Sequence, residues 1–573
     1  MALSQAARGD LWPRTEGLNR NTGEPATGLI WSGFLTLAIG GPWLWASGYL
    51  FGTDWPGPRH LAWPSAISAS IPAEAVLATV ASLISAQLTG RLFVAAVLFG
   101  AAFTAYRAVP VDRFVPRAAG SGIFVLNPFV FGRLHYGQLF LLAGYAMLPW
   151  VSIRLRELCR EPTWRAGLLF AISMSLVAVF TPHLFLVSGV VAAIVLPIYV
   201  IATKFKAAYI KELAQALAVA VCSTAIVSSY WAVPLLMGRS SEAAVIGATG
   251  ASLLTAYAAV PDQTAGLVPN LLGLYGFWAE NSGRFTSMKA FVPEWPVVLL
   301  ILLAVCGIGV LAAVRRKDNL APWTLGLVLA AVIALTLEVG ISHPLTAGFV
   351  RWLDATVPLY RGMRDAGKWA AVLALVYSQL FGLGAEAVLK WVQKLKLPAS
   401  QLEWLGAATI GLLLALPLYY GNGLLFGMHG EIKPSEYPAG WYAADRTLSS
   451  DSHPGRTLFL PWHEYMSFDF IQNQNRVVAS PAPAFFSVPI VGSSNPEVAG
   501  TTPTDPEQVS ISLLVRAGAT GDWSHQLALR DIKYVLIARE VDWEGYDYLN
   551  RLPGLRLVQD YGSILLYRND LVR

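Results

Sequence analysis

Apolar residues in this chain come in blocks of about twenty separated by short polar stretches, the length an α-helix needs to cross roughly 30 Å of hydrocarbon. The first block is residues 28 to 50, with Trp43 and Trp45 near its end, where amphipathic rings favour a membrane boundary. Further blocks lie near 91 to 107, 118 to 134, 136 to 153, 166 to 182, 184 to 203, 212 to 236, 296 to 314, 321 to 339, 368 to 390 and 402 to 420. The pattern predicts about eleven spans. Residues 72 to 88 are helical in pattern but short and broken by polar positions, so they are expected to lie along, or dip into, the membrane boundary without crossing.

After Tyr420 the pattern changes to Gly, Pro, Ser and charged residues, and no later run is long enough to span. Short β-rich stretches at 456 to 461, 534 to 538 and 563 to 568 alternate with helical patterns at 506 to 518 and 543 to 551. The expected fold is therefore a polytopic α-helical membrane protein with a C-terminal soluble α/β domain over 421 to 573.

Charge orients this arrangement. Arg107, Arg113 and Arg117; Arg154, Arg156, Arg160 and Arg165; Lys204, Lys206 and Lys211; Arg315, Arg316 and Lys317; and Lys390, Lys394 and Lys396 all fall on one face if 72 to 88 does not cross. By the positive-inside bias that face is cytoplasmic. The polar tail 1 to 27 is then inside, and loops 51–90, 237–295 and 340–367 lie outside with the C-terminal domain. From Glu431 onward the chain carries 12 Lys and Arg against 17 Asp and Glu, while the rest carries 29 against 19. The basic excess reports orientation, and no nucleic-acid partner is implied.

Composition agrees: 55% of the 573 residues are hydrophobic and 13% charged, too apolar for a soluble protein. No small-residue cleavage site follows a basic start, so the first apolar run is expected to stay as an anchor. Cys159, Cys222 and Cys306 lie in a basic loop and two apolar runs, which gives no disulfide framework. CxxC, HExxH, P-loop and GxSxG patterns are absent, which argues against a nucleotide-driven pump or a common hydrolase. No metal or other cofactor is indicated.

Three polar stretches interrupt the outer ends of the spans. Phe51-Gly52-Thr53-Asp54-Trp55-Pro56-Gly57-Pro58-Arg59-His60 places a carboxylate, an indole, a guanidinium and an imidazole where the first span leaves the membrane. Asp54 is either a base that takes a proton from a hydroxyl or a turn-former beside Gly and Pro. Asn127, Arg133, His135 and Gln138 fall within one short outward-facing turn, suited to a phosphate or to capping a helical hairpin. Arg361, Arg364, Asp365 and Lys368 concentrate cations at an outer edge, against the positive-inside bias, as an anion at the lipid boundary would require. Glu280 is a second candidate acid, and His183 and His343 are weaker candidates. Trp462-His463-Glu464-Tyr465 and Asp522-Trp523-Ser524-His525 have the aromatic-polar mix of sugar-contacting loops or of ordinary packing.

The acidic first outer loop, the boundary helix behind it, some eleven spans and an outer C-terminal domain together resemble the GT-C class of integral-membrane glycosyltransferases. NPFVFGRLHYGQ and YRGMRDAGKW look like segments of bacterial YfhO-type and arabinofuranosyltransferase-like proteins in particular. The resemblance implies a bacterial cytoplasmic-membrane enzyme that moves sugar from a polyprenyl-phosphate donor to an envelope glycan or glycolipid acceptor. Asp54 would be the base, and Arg133, His135, Arg361, Arg364 and Lys368 would neutralise the departing lipid phosphate. Trp55, Arg59, His60, Asn127, Gln138, Glu280 and Asp365 would complete the substrate site. Members of the class often pair acids in the first outer loop, whereas here Asp54 stands alone until Glu74. A flippase of lipid-linked saccharide would also be polytopic and grip phosphate, but it should carry ionisable groups at mid-membrane and two related halves. A non-catalytic scaffold would leave the outer cations idle.

Overall fold

The computed structural model describes residues 24–247, 252–282, 286–316, 320–357, 359–495, 497 and 505–572. Most of the N-terminal tail therefore lies outside the described residues. Among them, nine helices are long and apolar enough to cross a membrane, and Phe114–Val125 with Pro128–His135, bent by 43°, makes a tenth span. Trp164–Phe180, with 17 residues and about 26 Å at 1.5 Å per residue, is a shorter apolar helix, so the candidate spans among the described residues number nine or ten against the roughly eleven apolar blocks of the sequence.

Helix Ile71–Ile84 has 14 residues, about 21 Å, too short to span. It ends at Ser85, whose φ of 123° breaks the helix and whose hydroxyl accepts from Leu88 N–H to start Ala86–Ala108. The expected boundary at residues 88 to 91 is thus displaced to Ser85, because one serine both stops one helix and caps the next.

Ala370–Val392 is the central helix, almost wholly buried against Trp295–Val314 and Phe114–Val125. Glycines permit this closeness: a Cβ on Gly384 would strike the carbonyl of Val305, and one on Gly309 that of Leu380. Small residues facing each other in this way let helix backbones touch where lipid offers no hydrophobic drive.

Contacts gather the basic loops at one end of the bundle. Arg113 donates to Gln393 at 3.4 Å, Arg156 lies 5.9 Å from the Trp323 ring, Tyr209 donates to the Cys159 carbonyl and Arg316 approaches Glu386 at 4.0 Å. The opposite end carries Ile71–Ile84, the long loops and the C-terminal domain. Residues 422 to 432 still pack on the first span, where Trp43 Nε1 donates to Ile432 O at 2.9 Å.

The C-terminal region carries a five-stranded sheet in the order Ile490–Val491, Arg456–Leu460, Ile532–Ala538, Ile564–Asn569, Leu555–Asp560. The first three are parallel and the last two antiparallel to their neighbours. All seven residues of Ile532–Ala538 are buried, as a central strand covered on both faces requires. Phe459 faces a core with Trp441 and Phe485, whereas Leu458 and Leu460 face one with Trp523 and Leu527, the two-residue alternation of a strand. A separate hairpin, Tyr465–Ser467 with Val477–Ala479, reaches toward the membrane bundle.

Candidate active site

Asp54 sits at the tip of a small hairpin in which Phe51 pairs with Pro56 and Gly52 with Trp55. The membrane bundle and the C-terminal domain grip this hairpin from opposite sides. Asp54 N–H donates to Tyr136 O at 2.7 Å, and Gly52 lies so close to Gly137 that neither position has room for a side chain. From the other side, Ala479 N–H donates to Thr53 O at 2.8 Å, Asn473 to Phe51 O at 2.7 Å and Tyr437 to the carbonyls of Pro56 and Gly57. A glycine and proline-rich loop, which the sequence leaves without a partner, is thereby held rigid.

The hairpin tip opens into a cavity of about 380 Å³, within the size of small-ligand sites. Asp54, Gln138, Arg364, Asp365 and Lys368 line it, so three stretches far apart in sequence converge on one space. Asp54 accepts from Gln138 Nε2 and from the Tyr465 hydroxyl, both at 3.0 Å. Its oxygens reach the open cavity although protein encloses that cavity on most sides. Burial, the largest influence, pushes its carboxyl above the usual range, and the two hydrogen bonds offset this only in part.

Behind Asp54 lies a second carboxylate in the opposite condition. Arg133, buried and stacked 4.4 Å from Phe277, donates to Asp365 at 2.6 and 3.2 Å and to Gln138 Oε1 at 2.8 Å. Burial alone would raise Asp365, but the guanidinium, with Lys368 nearby, outweighs it and holds the carboxyl below the usual range. Arg133 is therefore saturated by Asp365 and Gln138, and it aims Gln138 at Asp54. Arg364 and Lys368 reach the cavity itself, Arg364 with its Cζ 5.2 Å from the centre of the Tyr257 ring.

One wall is aromatic. The Trp278 ring stands 5.3 Å from Tyr136 and 4.7 Å from Tyr257, edge to face in both cases. Tyr465 and Asn475 come from the C-terminal hairpin. Beside Tyr465, Glu464 is pushed up to about 7 by burial and then by Asp54. The acidic neighbours absent from the first outer loop are thus supplied by Asp365 and Glu464, while Glu74 instead accepts from Ser70 on the short helix.

The remaining sequence candidates stand away from the cavity. Trp55 packs 6.2 Å from Phe93. Arg59 pairs with Asp445 at 2.6 Å between the rings of Tyr442 and Phe485, and His60 N–H donates to Ala484 O, so both dock the loop on the C-terminal domain. Asn127 is not in an outward turn: it caps the buried helix Pro128–His135 by accepting from Val130 N–H, at the 43° bend. His135 is buried 3.5 Å from Glu431, Glu280 braces its own loop through Gly276 N–H and Ser287, and Arg361 faces Asp354 at 3.6 Å. Sequence reasoning gave Tyr257 no role, because a single aromatic in a long loop carries no periodic signal. Among the described residues no three His, Cys, Asp or Glu side chains converge as a metal group would.

The helical bundle, the short helix Ile71–Ile84 and the C-terminal sheet region together make a polytopic, mostly helical membrane fold. Neither a family model nor a curated protein matches the sequence. Among solved structures, the cryo-EM structure of the arabinofuranosyltransferase AftD from Mycobacteria is similar over 95% of this chain, with a TM-score of 0.62 and 16% identity. A structure of a mutant of that protein aligns over the same share with a TM-score of 0.58 and 15% identity. The chain spans 40% of the length of AftD in the first comparison and 41% in the second. The likeness is one of fold.

Proposed function

We propose that this protein is a GT-C-type membrane glycosyltransferase that transfers a sugar from a polyprenyl-phosphate donor to a glycan or glycolipid acceptor. The observation that carries the reading is the single cavity in which Asp54, with a raised carboxyl, faces Arg364 and Lys368. The fold likeness to an arabinofuranosyltransferase supports it.

In this scheme an acceptor hydroxyl enters beside Asp54. Its oxygen bonds to the anomeric carbon as the bond from that carbon to the phosphate oxygen breaks, and its proton passes to Asp54. A carboxyl kept more basic than usual suits that task, since a base works best when its pKa approaches the working pH. The polyprenyl phosphate leaves with the bonding electrons, and Arg364 and Lys368 neutralise the charge on its oxygens. Cations already oriented in the cavity need no reorganisation during the step, which makes such stabilisation effective. The aromatic wall of Tyr136, Tyr257 and Trp278 offers apolar faces to the CH face of a sugar. The end with the basic loops is cytoplasmic on this reading, and the cavity opens on the outer side of the cytoplasmic membrane.

The test is a transfer assay on the purified chain with polyprenyl-phosphate-linked arabinofuranose, the sugar in the name of AftD, and an oligosaccharide acceptor. Released polyprenyl phosphate and a lengthened acceptor are expected in equal amounts. Movement of intact donor across a vesicle bilayer, with neither product formed, would instead establish a flippase.

A further inference from the structure

A second space lies at the basic end of the bundle, between helices Ala86–Ala108 and Leu139–Arg160. It measures about 470 Å³ and is lined by Phe103, Thr104, Arg107, Trp150, Ile153 and Arg154, with Glu157 at its edge. We infer that it is a binding site for the headgroup of an anionic phospholipid from the leaflet at that end.

Four observations converge. Arg107 is exposed in the last turn of its helix, and its guanidinium carries no ion pair among the described residues; only the Phe103 ring, 6.0 Å away, flanks it. Arg154 gives Nη1 to Glu157 at 2.7 Å, yet its Nε is buried with no hydrogen-bond acceptor among the described residues. A buried guanidinium N–H without an acceptor is a costly arrangement that a phosphate oxygen would relieve. The Trp150 ring lies 5.8 Å from Arg154, an indole beside an arginine, a pairing that suits a membrane boundary. Finally, Phe103 and Ile153 carry the lining into the apolar faces of the same two helices, so acyl chains can continue where the headgroup ends.

Two cations, an indole and an apolar continuation suit a phosphodiester with attached chains better than a free anion. A zwitterionic headgroup offers the same phosphate but adds a cation, which two arginines oppose. Glu157 is the internal competitor, because it occupies the Nη1 donor that a phosphate would otherwise share.

The site is tested on the full chain in mild detergent, titrated with phosphatidylglycerol or phosphatidylcholine and followed by native mass spectrometry. Phosphatidylglycerol is expected to stay bound where phosphatidylcholine dissociates. Arg107→Gln and Arg154→Gln should each weaken retention about fivefold, from roughly 1 kcal/mol per cation near an anionic surface. Glu157→Gln should tighten it, since it releases Arg154; this gain does not depend on a variant that merely fails to fold. Equal retention of the two lipids, unchanged retention in the double arginine variant, or weaker binding in Glu157→Gln would overturn the assignment. Displacement of the lipid by inorganic phosphate alone at millimolar concentration would overturn the lipid as occupant.

Discussion

Asp54 and Asp365 line the same cavity, yet one carboxyl is pushed above the usual range and the other held below it. The main difference is the partner each acid has. Asp365 takes both Nη groups of the buried Arg133, whereas Asp54 accepts only from an amide and a phenol. The first arrangement lowers the energy of the folded chain at neutral pH; the second leaves a carboxylate under-solvated and ready to take a proton. On the proposed reading, the site divides the tasks of standing still and reacting between two acids.

Removing Asp54, the proposed base, breaks the comparison most directly. Asp54→Asn should lower transfer by roughly 10²- to 10⁴-fold, the contribution of a positioned base. The melting temperature should hold or rise, because relief of an under-solvated carboxylate favours the folded state. Retained transfer would remove Asp54 from the chemistry, and a large fall in melting temperature would make it a structural acid like Asp365.

Breaking the structural pair should produce the converse pattern. Arg133→Met leaves Asp365 buried without its cation and should cost about 3 to 5 kcal/mol of stability, read as a loss of monodisperse protein or a lower melting temperature. The pH dependence has a definite sign. Asp365 has a depressed pKa in the folded state, so its contribution is present above its unfolded value and is lost as pH falls through the folded one. Arg133→Met should therefore remove that loss of stability on the acid side. Double replacement Arg133→Met with Asp365→Leu should recover much of the stability, as paired apolar substitution often does. Failure to recover would point to Gln138, the other group that Arg133 holds.

The cations that face the open cavity come next. Arg364→Ala with Lys368→Ala should reduce transfer by roughly 10²- to 10³-fold and weaken donor binding, with little change in melting temperature. Arg361→Ala, in contrast, should leave donor binding unchanged, since Arg361 faces Asp354 outside the cavity. Equal effects of the two changes would mean that donor phosphate does not sit where Arg364 and Lys368 converge.

The contrast between these arginines also marks how far the sequence could be read. Spans announce themselves by length and apolarity, and Arg364, Asp365 and Lys368 stand out as polar groups at a span's outer end. Which of them face inward depends on the turn Ala366–Trp369, where Asp365 caps by accepting from Gly367 N–H; the charge pattern alone treats Arg361 and Arg364 alike. Arg133 was legible as part of an outward turn suited to a phosphate or a hairpin cap but not as the buried partner of an acid 232 positions away. The strands Arg456–Leu460, Ile532–Ala538 and Ile564–Asn569 follow from β-rich runs, whereas the two-residue strand Ile490–Val491 is too short to carry a period. The three-residue strands that deliver Tyr465 were invisible for the same reason.

Tyr465 gives the smallest effect and the finest test. It is the one group through which the C-terminal domain touches Asp54 directly among the described hydrogen bonds, at 3.0 Å. Tyr465→Phe keeps the ring and its packing and removes only the hydroxyl. A hydrogen bond to the charged form favours that form, so its loss should raise Asp54 further. With Asp54 as the proposed base, transfer needs its carboxylate form, and the rate is expected to fall as pH drops through the Asp54 pKa. In Tyr465→Phe that acidic limb should move to higher pH by about 0.7 pH unit, the equivalent of a hydrogen bond worth roughly 1 kcal/mol at a solvent-reached site. The plateau at alkaline pH and the melting temperature should change little. A lowered plateau with an unmoved limb would mean that the domain merely packs against the hairpin, and that the contrast between Asp54 and Asp365 is set wholly within the membrane bundle.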